Sequence, residues 1–302
     1  NGAAGMRITI SGPEDGLRAV LMARPGHNTI SIVNSSYVRV RNLDIDGRKF
    51  PVDAAKCEGH ADWSHHITLE KLNIRGHGND QQIVGISTKC PAWNWVIRNN
   101  VIKGAGTGIY LGDSDGSAPF IAGLIEHNVI IDTVGYNLQI KHQQPRPRVA
   151  GMPEQRNATV IRHNVFSKTN GASRAMARPN VLIGHWPLAG PGSGDHYLIY
   201  GNFFYQNRSE SLFQGEGNIA LYNNLFVNHF GDAIRIRPHN GTSRMISVFY
   251  NTVIARDSGI VIAPQGRDQA YRQFVADNMV FARVPLRGGS PESNVTGSFF
   301  EA

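Results

Sequence analysis

The sequence predicts an all-β fold, a single right-handed parallel β-helix of nine to ten coils that occupies residues 1–302. A short apolar strand, a turn residue and two or three further apolar residues recur nine times, at intervals of 22 to 38 residues. No window of about 11 to 18 residues carries the apolar stripe of an amphipathic helix. Each coil of a solenoid has the same cross-section and lies about 4.8 Å from the next, so it repeats its sequence pattern in this way.

Asparagine occupies the turn position in eight of the nine motifs. It tolerates the left-handed backbone region and bonds to its own turn, so it suits a sharp bend between strands. In stacked coils these side chains would also form a ladder in which each amide bonds to the next. Propellers repeat at about 40 to 45 residues, and leucine-rich repeats need a signature that this chain lacks. The predicted turn positions are Asn42, Lys71, Asn100, Asn128, Asn164, Asn202, Asn224, Asn251 and Asn278.

A second strand follows most turns and alternates between apolar and polar residues. Alternation places one set of side chains in the core and the other set outside. The predicted inward residues are Ile109, Leu111, Leu138, Ile140, Ile234, Ile236, Ile260 and Ile262. The predicted outward residues are Tyr110, Gln139, Lys141, Arg235 and Arg237.

The formal net charge is +7 and the isoelectric point about 9.6, which favours an anionic partner. Most of the basic residues are arginine, which suits bidentate recognition of carboxylate or sulfate. No Lys/Arg cluster or motif of a nucleic-acid-binding protein appears, so nucleic acid is not the expected partner. No apolar run has the length of a membrane span.

The chain begins at "NGAAGMRITISG", which already leads into a strand. We therefore expect that the native N-terminal segment is missing, and that any secretion signal of a secreted or periplasmic protein is missing with it. Cys57 and Cys90 are the only cysteines. They would form one disulfide in an exported protein, or they are two buried thiols, and the spacing leaves both alternatives open.

Three long segments, 142–158, 167–180 and 185–197, lie on consecutive coils. Loops longer than a coil requires are often functional, and these should form walls beside one patch of the outward strands. Basic and imidazole groups recur at the ends of the neighbouring strands, which predicts a groove for a long polymer. The predicted catalytic residues are Lys141, His142, His185 and Arg237. The predicted substrate-binding residues are Arg235, His239, Tyr136, Arg146, Arg148, Trp186 and Glu216.

One carboxylate pair is a candidate calcium site. Asp113 and Asp115 follow a strand in "GDSDGS", one coil before Lys141. Carboxylates at this spacing can bind calcium, although the full EF-hand loop is missing. A polar turn is the alternative interpretation.

These repeats resemble those of right-handed β-helix carbohydrate-active proteins over nearly the whole chain. Within that group the sequence resembles the polysaccharide lyases that include chondroitinase B and β-helix alginate lyases, and the related mannuronan C5-epimerases. The strand "NLQIKHQ" with Lys141-His142, and "AIRIRPHNG" with Arg237 and His239, resemble the lyase strand that ends in a basic residue and a histidine. One coil before Arg237, however, this chain has Gln214 and Glu216 where a lyase has its lysine.

The resemblance implies β-elimination on a uronic acid, in which the carboxylate is neutralised and a base removes the C5 proton. It assigns Lys141 as base, His142 and His185 as acid/base or orienting groups, and Arg235 and Arg237 as carboxylate binders. Calcium is the one cofactor that it suggests, and an anionic polysaccharide is the partner. The alternatives are a glycoside hydrolase, a uronan C5-epimerase and a binding solenoid without catalysis. A hydrolase would need two carboxylic acids about 5 to 9.5 Å apart.

Overall fold

The structure, a computed structural model, describes residues 1–171, 177–264 and 271–302. Every named strand pair in these ranges is parallel, and each strand pairs with strands one coil before and after it. The chain is therefore a parallel β-helix. Its longest stack of paired strands has eleven members, slightly more than the nine to ten coils predicted. No helix in the described ranges is long and apolar enough to span a membrane.

The strands form three faces, defined here by their position along each coil. The first face contains Ile8–Ser11, Val38–Arg41, Thr68–Glu70, Val96–Arg98, Leu124–Glu126, Ala158–Arg162, His196–Tyr200, Ile219–Tyr222, Ile246–Phe249, Gln273–Ala276 and Ser290–Glu292. The second face contains Ala19–Met22, Leu43–Asp46, Asn73–Arg75, Val101–Lys103, Val129–Ile131, Val165–Ser167, Phe203–Tyr205, Leu225–Asn228 and Val295–Gly297. The third face contains Ile30–Ile32, Ala55–Cys57, Val84–Thr88, Thr107–Leu111, Leu138–Ile140, Val181–Ile183, Phe213–Gly215 and Ile234–Ile236.

Two long strands, Thr252–Ile262 and Met279–Arg287, run through both the second and the third face and join them into one sheet. A short sheet lies between the third and first faces of the early coils. It contains Ser35–Ser36, Ser64–His65, Ala92–Trp93 and Phe120–Ile121. A single 3-10 turn at Phe299–Glu301 follows the last strand.

The bend between the first and second faces carries the predicted asparagine ladder. The Nδ2 of Asn100 donates to Oδ1 of Asn128 at 2.9 Å, and the same contact repeats from coil to coil as far as Asn294. The ladder is confirmed, but its conformation differs from the prediction. The left-handed residue is the one before each ladder amide, such as His127, because the amide itself must point inward to its neighbours.

Two of the predicted turn positions are not part of the ladder. Asn42 and Lys71 are themselves left-handed, with φ of 55° and 54°, and they precede Leu43 and Leu72. The backbone N–H of Leu72 donates to Oδ1 of Asn100, so the ladder begins at that rung. At the bends of these two early coils, the buried apolar side chains of Leu43 and Leu72 stand where the later coils have the amide.

The predicted inward residues of the third face are all buried in one continuous core, which confirms the alternation. Register explains the continuity: Ile109 pairs with Leu138, and Ile234 pairs with Ile260, so like side chains stack along the axis. Burial of this column of aliphatic groups is the main stabilising term of each added coil.

The two cysteines form a disulfide that joins neighbouring coils. Cys57 ends a third-face strand, and Cys90 lies just after the next one. Lys56 and Lys89 precede these two residues in the chain. The bond therefore ties together the strand ends that present two lysines to the outside.

Candidate functional site

A groove runs along the outward side of the third face. It consists of two adjoining clefts of about 310 Å³ each, and Tyr136 and Arg178 line both of them. We call it the basic groove, because five cationic side chains line it: Lys56, Lys89, Lys141, Arg178 and Arg237. Its other main lining residues are Asp53, Tyr110, Gln139, Glu210, Gln214, Glu216 and His239.

Strand register arranges these side chains in two columns. The first column contains Tyr110, Gln139, Leu182, Gln214 and Arg235, which pair from strand to strand. The second column lies two residues further on, just beyond the strand ends. Its members in order are Lys89, Gly112, Lys141, Gly184, Glu216 and Arg237.

Lys141 is flanked in its column by two glycines. A Cβ on Gly184 would lie 2.2 Å from the backbone nitrogen of His142, so no larger residue fits there without movement of the backbone. Gly112 has a φ of +94°, a conformation that side chains disfavour. The neighbouring coils therefore add no side chain beside Lys141 in this column.

Lys141 is half-buried, and this burial lowers the pKa of its ammonium group. The nearby negative charges of Glu216 and Asp113 oppose the shift without cancelling it. A lowered pKa increases the neutral fraction of the amine near physiological pH. Lys141 therefore has the environment expected of a general base.

Two lysines of the earlier coils, which the sequence analysis missed, extend the positive charge of the groove. The ammonium nitrogen of Lys89 lies 3.7 Å from the centre of the Tyr110 ring and 3.8 Å from a carboxylate oxygen of Asp113. Lys56 lies 3.8 Å from a carboxylate oxygen of Asp53. Lys89 of "STKC" stands in the same register as Lys141 of "LQIKH", so alignment of these strand ends would have revealed it, whereas Lys56 of "AAKC" pairs with Ser87 and lies in the first column.

Arg178 stands where the two clefts meet, and it was also missed. Its Nε donates to the side-chain oxygen of Gln81 at 3.2 Å, and its guanidinium carbon lies 5.8 Å from the centre of the Tyr136 ring. It belongs to the predicted wall segment 167–180, of which residues 172–176 lie outside the described residues. Length marked this segment as functional, but length alone does not show which side chain reaches the groove.

The end of the groove away from Lys56 contains a buried acidic side chain beside exposed basic ones. Glu216 is buried, which raises the pKa of its carboxyl group, and it accepts a hydrogen bond from the backbone N–H of Asn240 at 2.8 Å. Arg237 and His239 are exposed beside it. Arg235 is in the first column and forms an ion pair with Asp232. The structure thus places four of the predicted site residues, Tyr136, Glu216, Arg237 and His239, along one cleft, and their roles stay predictions.

The prediction that Arg146 and Trp186 bind substrate is wrong. The Arg146 side chain is only 3% exposed and pairs with the equally buried Asp195. Trp186 is 1% exposed and stacks on Tyr197, with 4.6 Å between ring centres. Arg148 is exposed, but it lines a separate hollow formed by residues 146–154 and Pro191. The two loop arginines therefore do not line the basic groove. Arg146 pairs with Asp195 inside the protein, and Arg148 faces the separate hollow.

The two predicted catalytic histidines lie together, but neither lines the basic groove. The ring centres of His142 and His185 are 5.7 Å apart. Nδ1 of His185 is 2.7 Å from the carbonyl oxygen of Trp186, so this ring is fixed by the backbone. Burial, with the charges of Lys141 and His185, lowers the pKa of His142. Their geometry suits orienting groups behind Lys141 better than an acid and a base in contact with substrate.

Asp113 and Asp115 do not fit a calcium site. Asp115 accepts hydrogen bonds from the backbone N–H and the hydroxyl of Ser117, and Asp113 faces Lys89. No third carboxylate, histidine or cysteine joins them, and no such group of three occurs among residues 1–171, 177–264 and 271–302. Calcium prefers six to eight oxygen ligands. The polar-turn interpretation describes the pair better.

Comparison with known proteins yields structural similarity only. No family model matches the chain, and no curated protein does so. The A-module of the Azotobacter vinelandii mannuronan C-5 epimerase AlgE4 superposes with a TM-score of 0.53 at 12% identity, covering 97% of this chain and 80% of that one. The AlgE6 A-module of the same organism gives 0.53 at 14% identity, covering 97% and 83%. This chain has their parallel β-helix fold. At such low identity the likeness extends to the fold alone.

Proposed function

We propose that the protein is a polysaccharide lyase, which cleaves a uronate-containing polysaccharide by β-elimination in the basic groove. The observation that carries the proposal is Lys141, a half-buried lysine of lowered pKa, in a groove lined by four further cations. A general base and a set of carboxylate-binding groups are the two requirements of this reaction.

An extended anionic chain fits the groove. The cations recur along the groove: Lys89 lies one coil after Lys56, Lys141 two coils after Lys89, and Arg237 three coils after Lys141. With coils about 4.8 Å apart, positive charge is therefore spread along the axis at intervals of one to three coils. Tyr110 and Tyr136 add ring surfaces beside them. A polymer of acidic sugars would lie along the axis, with its carboxylates near the cations and its rings near the tyrosines. Arg178 and Arg237, which line the cleft next to Lys141, are suited to bidentate carboxylate binding.

The proposed reaction begins at C5 of a uronate residue. Neutralisation of the carboxylate by arginine makes the C5 proton more acidic, and the neutral amine of Lys141 removes it. The electrons of the C5–H bond form a double bond between C4 and C5 as the C4–O4 bond breaks. The leaving oxygen takes a proton from the Lys141 ammonium so formed, which restores the free amine.

The names of the similar structures are consistent with this chemistry. Both modules are described as epimerases that act at C-5 of mannuronan. Removal of a proton from C5 is the shared first step of uronate epimerisation and elimination. The disulfide between Cys57 and Cys90 supports a further proposal, that the protein works in an oxidising compartment as a secreted or periplasmic protein.

The test is an assay of acidic polysaccharides with the wild type, Lys141→Ala and the exposed second-face control Lys103→Ala. Alginate, glucuronan, pectate and sulfated glycosaminoglycans form the panel, each with and without EDTA. Elimination gives ultraviolet absorbance from the new double bond conjugated to the carboxylate. We expect Lys141→Ala to lose about 10²- to 10⁴-fold in kcat with folding intact, whereas Lys103→Ala keeps wild-type activity.

Each alternative gives a different result in this assay. New reducing ends without absorbance would indicate a hydrolase, and exchange of the C5 proton with solvent without cleavage would indicate an epimerase. Binding without any turnover would indicate a non-catalytic solenoid. Full activity of Lys141→Ala would show that Lys141 is not the general base. Activity that EDTA abolishes and calcium restores would support the calcium prediction.

A further inference from the structure

A second cleft, of about 370 Å³, lies on the outward side of the first face. We call it the first-face cleft. Its side-chain walls include Arg156, His196, Arg244, Met245 and Tyr271, and it shares no lining residue with the basic groove. The segments 183–192 and 240–243 lie between residues of the two sites along the chain. The first-face cleft is therefore a separate site from the basic groove, which lies on the third face.

Arg244 places a buried positive charge at the first-face cleft. Arg244 is only 8% exposed. Its Nη2 donates to the carbonyl oxygens of Trp186 and Pro187, at 3.3 and 3.0 Å. In the described part of the chain no carboxylate forms an ion pair with it, and burial lowers its pKa. The carbonyls fix the guanidinium in place but do not neutralise its charge. A buried charge of this kind favours an anionic ligand.

Arg156 adds a second positive charge at the same cleft. The one carboxylate in the lining, Asp195, is already paired with Arg146 and also accepts the backbone N–H of Asn157 at 2.9 Å. Burial lowers the pKa of His196, which favours its neutral form. The two guanidinium groups therefore give the first-face cleft a net positive charge that the lining does not balance.

The rest of the first-face cleft combines the polar residues Ser193, Asn218 and Ser247 with apolar and aromatic surface. Ala220 lies on its floor, and Met245 and Tyr271 stand at its edge with 54% and 37% of their surfaces exposed. A small inorganic anion would use the charge but not these surfaces. A sugar acid would use both, because its carboxylate can bind guanidinium while the apolar face of its ring packs on tyrosine.

We propose that the first-face cleft binds a uronate residue of the polysaccharide as a second, non-catalytic site. The identity of the polymer rests on the proposed function, whereas the cleft itself does not. A second site would hold one part of the chain while another part lies in the basic groove. Two linked contacts raise the overall affinity without any new contact at the catalytic centre.

The test is a calorimetric titration of the Lys141→Ala protein, which prevents turnover, with uronate tetrasaccharides. We expect two bound oligosaccharides per chain. Arg156→Gln, added to Lys141→Ala, should reduce the number to one, whereas the matched control Arg148→Gln should leave two. Arg156 is exposed, so its replacement leaves the fold intact, and thermal unfolding of each variant checks this. Arg237→Gln should weaken the groove site only.

The outcomes separate this proposal from the proposed lyase. One bound oligosaccharide that Arg156→Gln removes and Arg237→Gln does not would support the first-face cleft and count against the groove. One bound oligosaccharide with the opposite response would overturn the second site. Inorganic phosphate and a neutral tetrasaccharide are the two control ligands. If phosphate displaces nothing and the neutral sugar does not bind, the uronate assignment holds. Equal binding of the neutral sugar would overturn it.

Discussion

The side-chain ammonium of Lys168 donates a hydrogen bond to the backbone carbonyl of Arg178, with 3.0 Å between the two atoms. Lys168 is fully buried, which is unusual for lysine. The same carbonyl accepts a second bond from Nδ2 of Asn207 at 2.8 Å. The backbone under Arg178 is thus anchored from inside the molecule, while its guanidinium group stands at the junction of the two clefts. Lys168 is therefore a positioning residue for Arg178.

The first prediction concerns Lys168→Met, which keeps the length of the side chain but removes the bond to Arg178. Because Arg178 is proposed to bind and neutralise the substrate carboxylate, kcat/KM should fall about tenfold, through both a higher KM and a lower kcat. The measurement is steady-state kinetics on the polysaccharide that the panel identifies. Lys103→Met, at an exposed position of the second face, is the control and should behave as wild type. An unchanged kcat/KM would contradict the positioning role.

The second prediction concerns stability and pH. Burial is the largest cause that lowers the pKa of Lys168 from 10.5 to about 8, the charge of Arg178 adds to it, and Glu210 opposes it. Between pH 8 and 10.5 the unfolded chain holds this proton more strongly than the folded one, so stability rises with pH. At about 1.4 kcal/mol per pKa unit, the gain in the free energy of unfolding is about 3 kcal/mol.

Denaturant unfolding of the wild type and Lys168→Met at several pH values isolates this contribution. Other groups titrate in the same window, but they are common to both proteins. The wild-type free energy of unfolding minus that of the variant should be constant below pH 8 and should increase above it. A difference that stays flat up to pH 10.5 would show that Lys168 has an ordinary pKa in the folded state.

The fold could be predicted from the sequence because stacked coils place the same structural requirement at a regular interval along the chain. From Asn100 to Asn294 each coil places an amide at the same bend, so asparagine recurs there along most of the chain. At the seven predicted ladder positions the left-handed residue was misplaced by one, whereas at Asn42 and Lys71 it was placed correctly. Pairs such as Asn99-Asn100 and Asn223-Asn224 show the difficulty, because they offer two asparagines at one bend. Spacing does not reveal which of the two points inward; the hydrogen bonds do.

The candidate site was predictable where it depends on strand ends and unpredictable where it depends on loops. Lys141 and Arg237 follow regular strands, so alternation alone directs them outward. Arg146 was wrongly assigned because its partner Asp195 is 49 residues away, on the next loop. A loop arginine can line a groove or neutralise a buried carboxylate, and only the folded path of the chain decides between these roles.

The third prediction compares the two arginines of that loop. Arg146→Ala leaves the carboxylate of Asp195 buried without its partner, which should lower the free energy of unfolding by about 3 to 5 kcal/mol. Arg148→Ala, two residues away and exposed, should change it by less than about 0.5 kcal/mol. Chemical denaturation of the two variants measures both values. Equal effects would mean that Arg146 and Asp195 are not paired in solution.

The fourth prediction concerns the asparagine ladder. Oδ1 of Asn202 accepts bonds from the backbone N–H and the Nδ2 of Asn164, at 3.0 and 2.9 Å, and its own Nδ2 continues the ladder to Asn224 at 3.0 Å. Asn202→Ala leaves buried donors without an acceptor, so the free energy of unfolding should fall by about 3 kcal/mol.

The last rung of the ladder gives the matched control for Asn202→Ala. Asn294 accepts the same pair of bonds from Asn278, but it is half-exposed, so water can replace its amide. Asn294→Ala should therefore cost about 1 kcal/mol or less. Thermal or denaturant unfolding of the two variants provides the comparison. If the interior and terminal rungs cost the same, the ladder contributes through each turn separately, and the chain of amide contacts between coils adds nothing to stability.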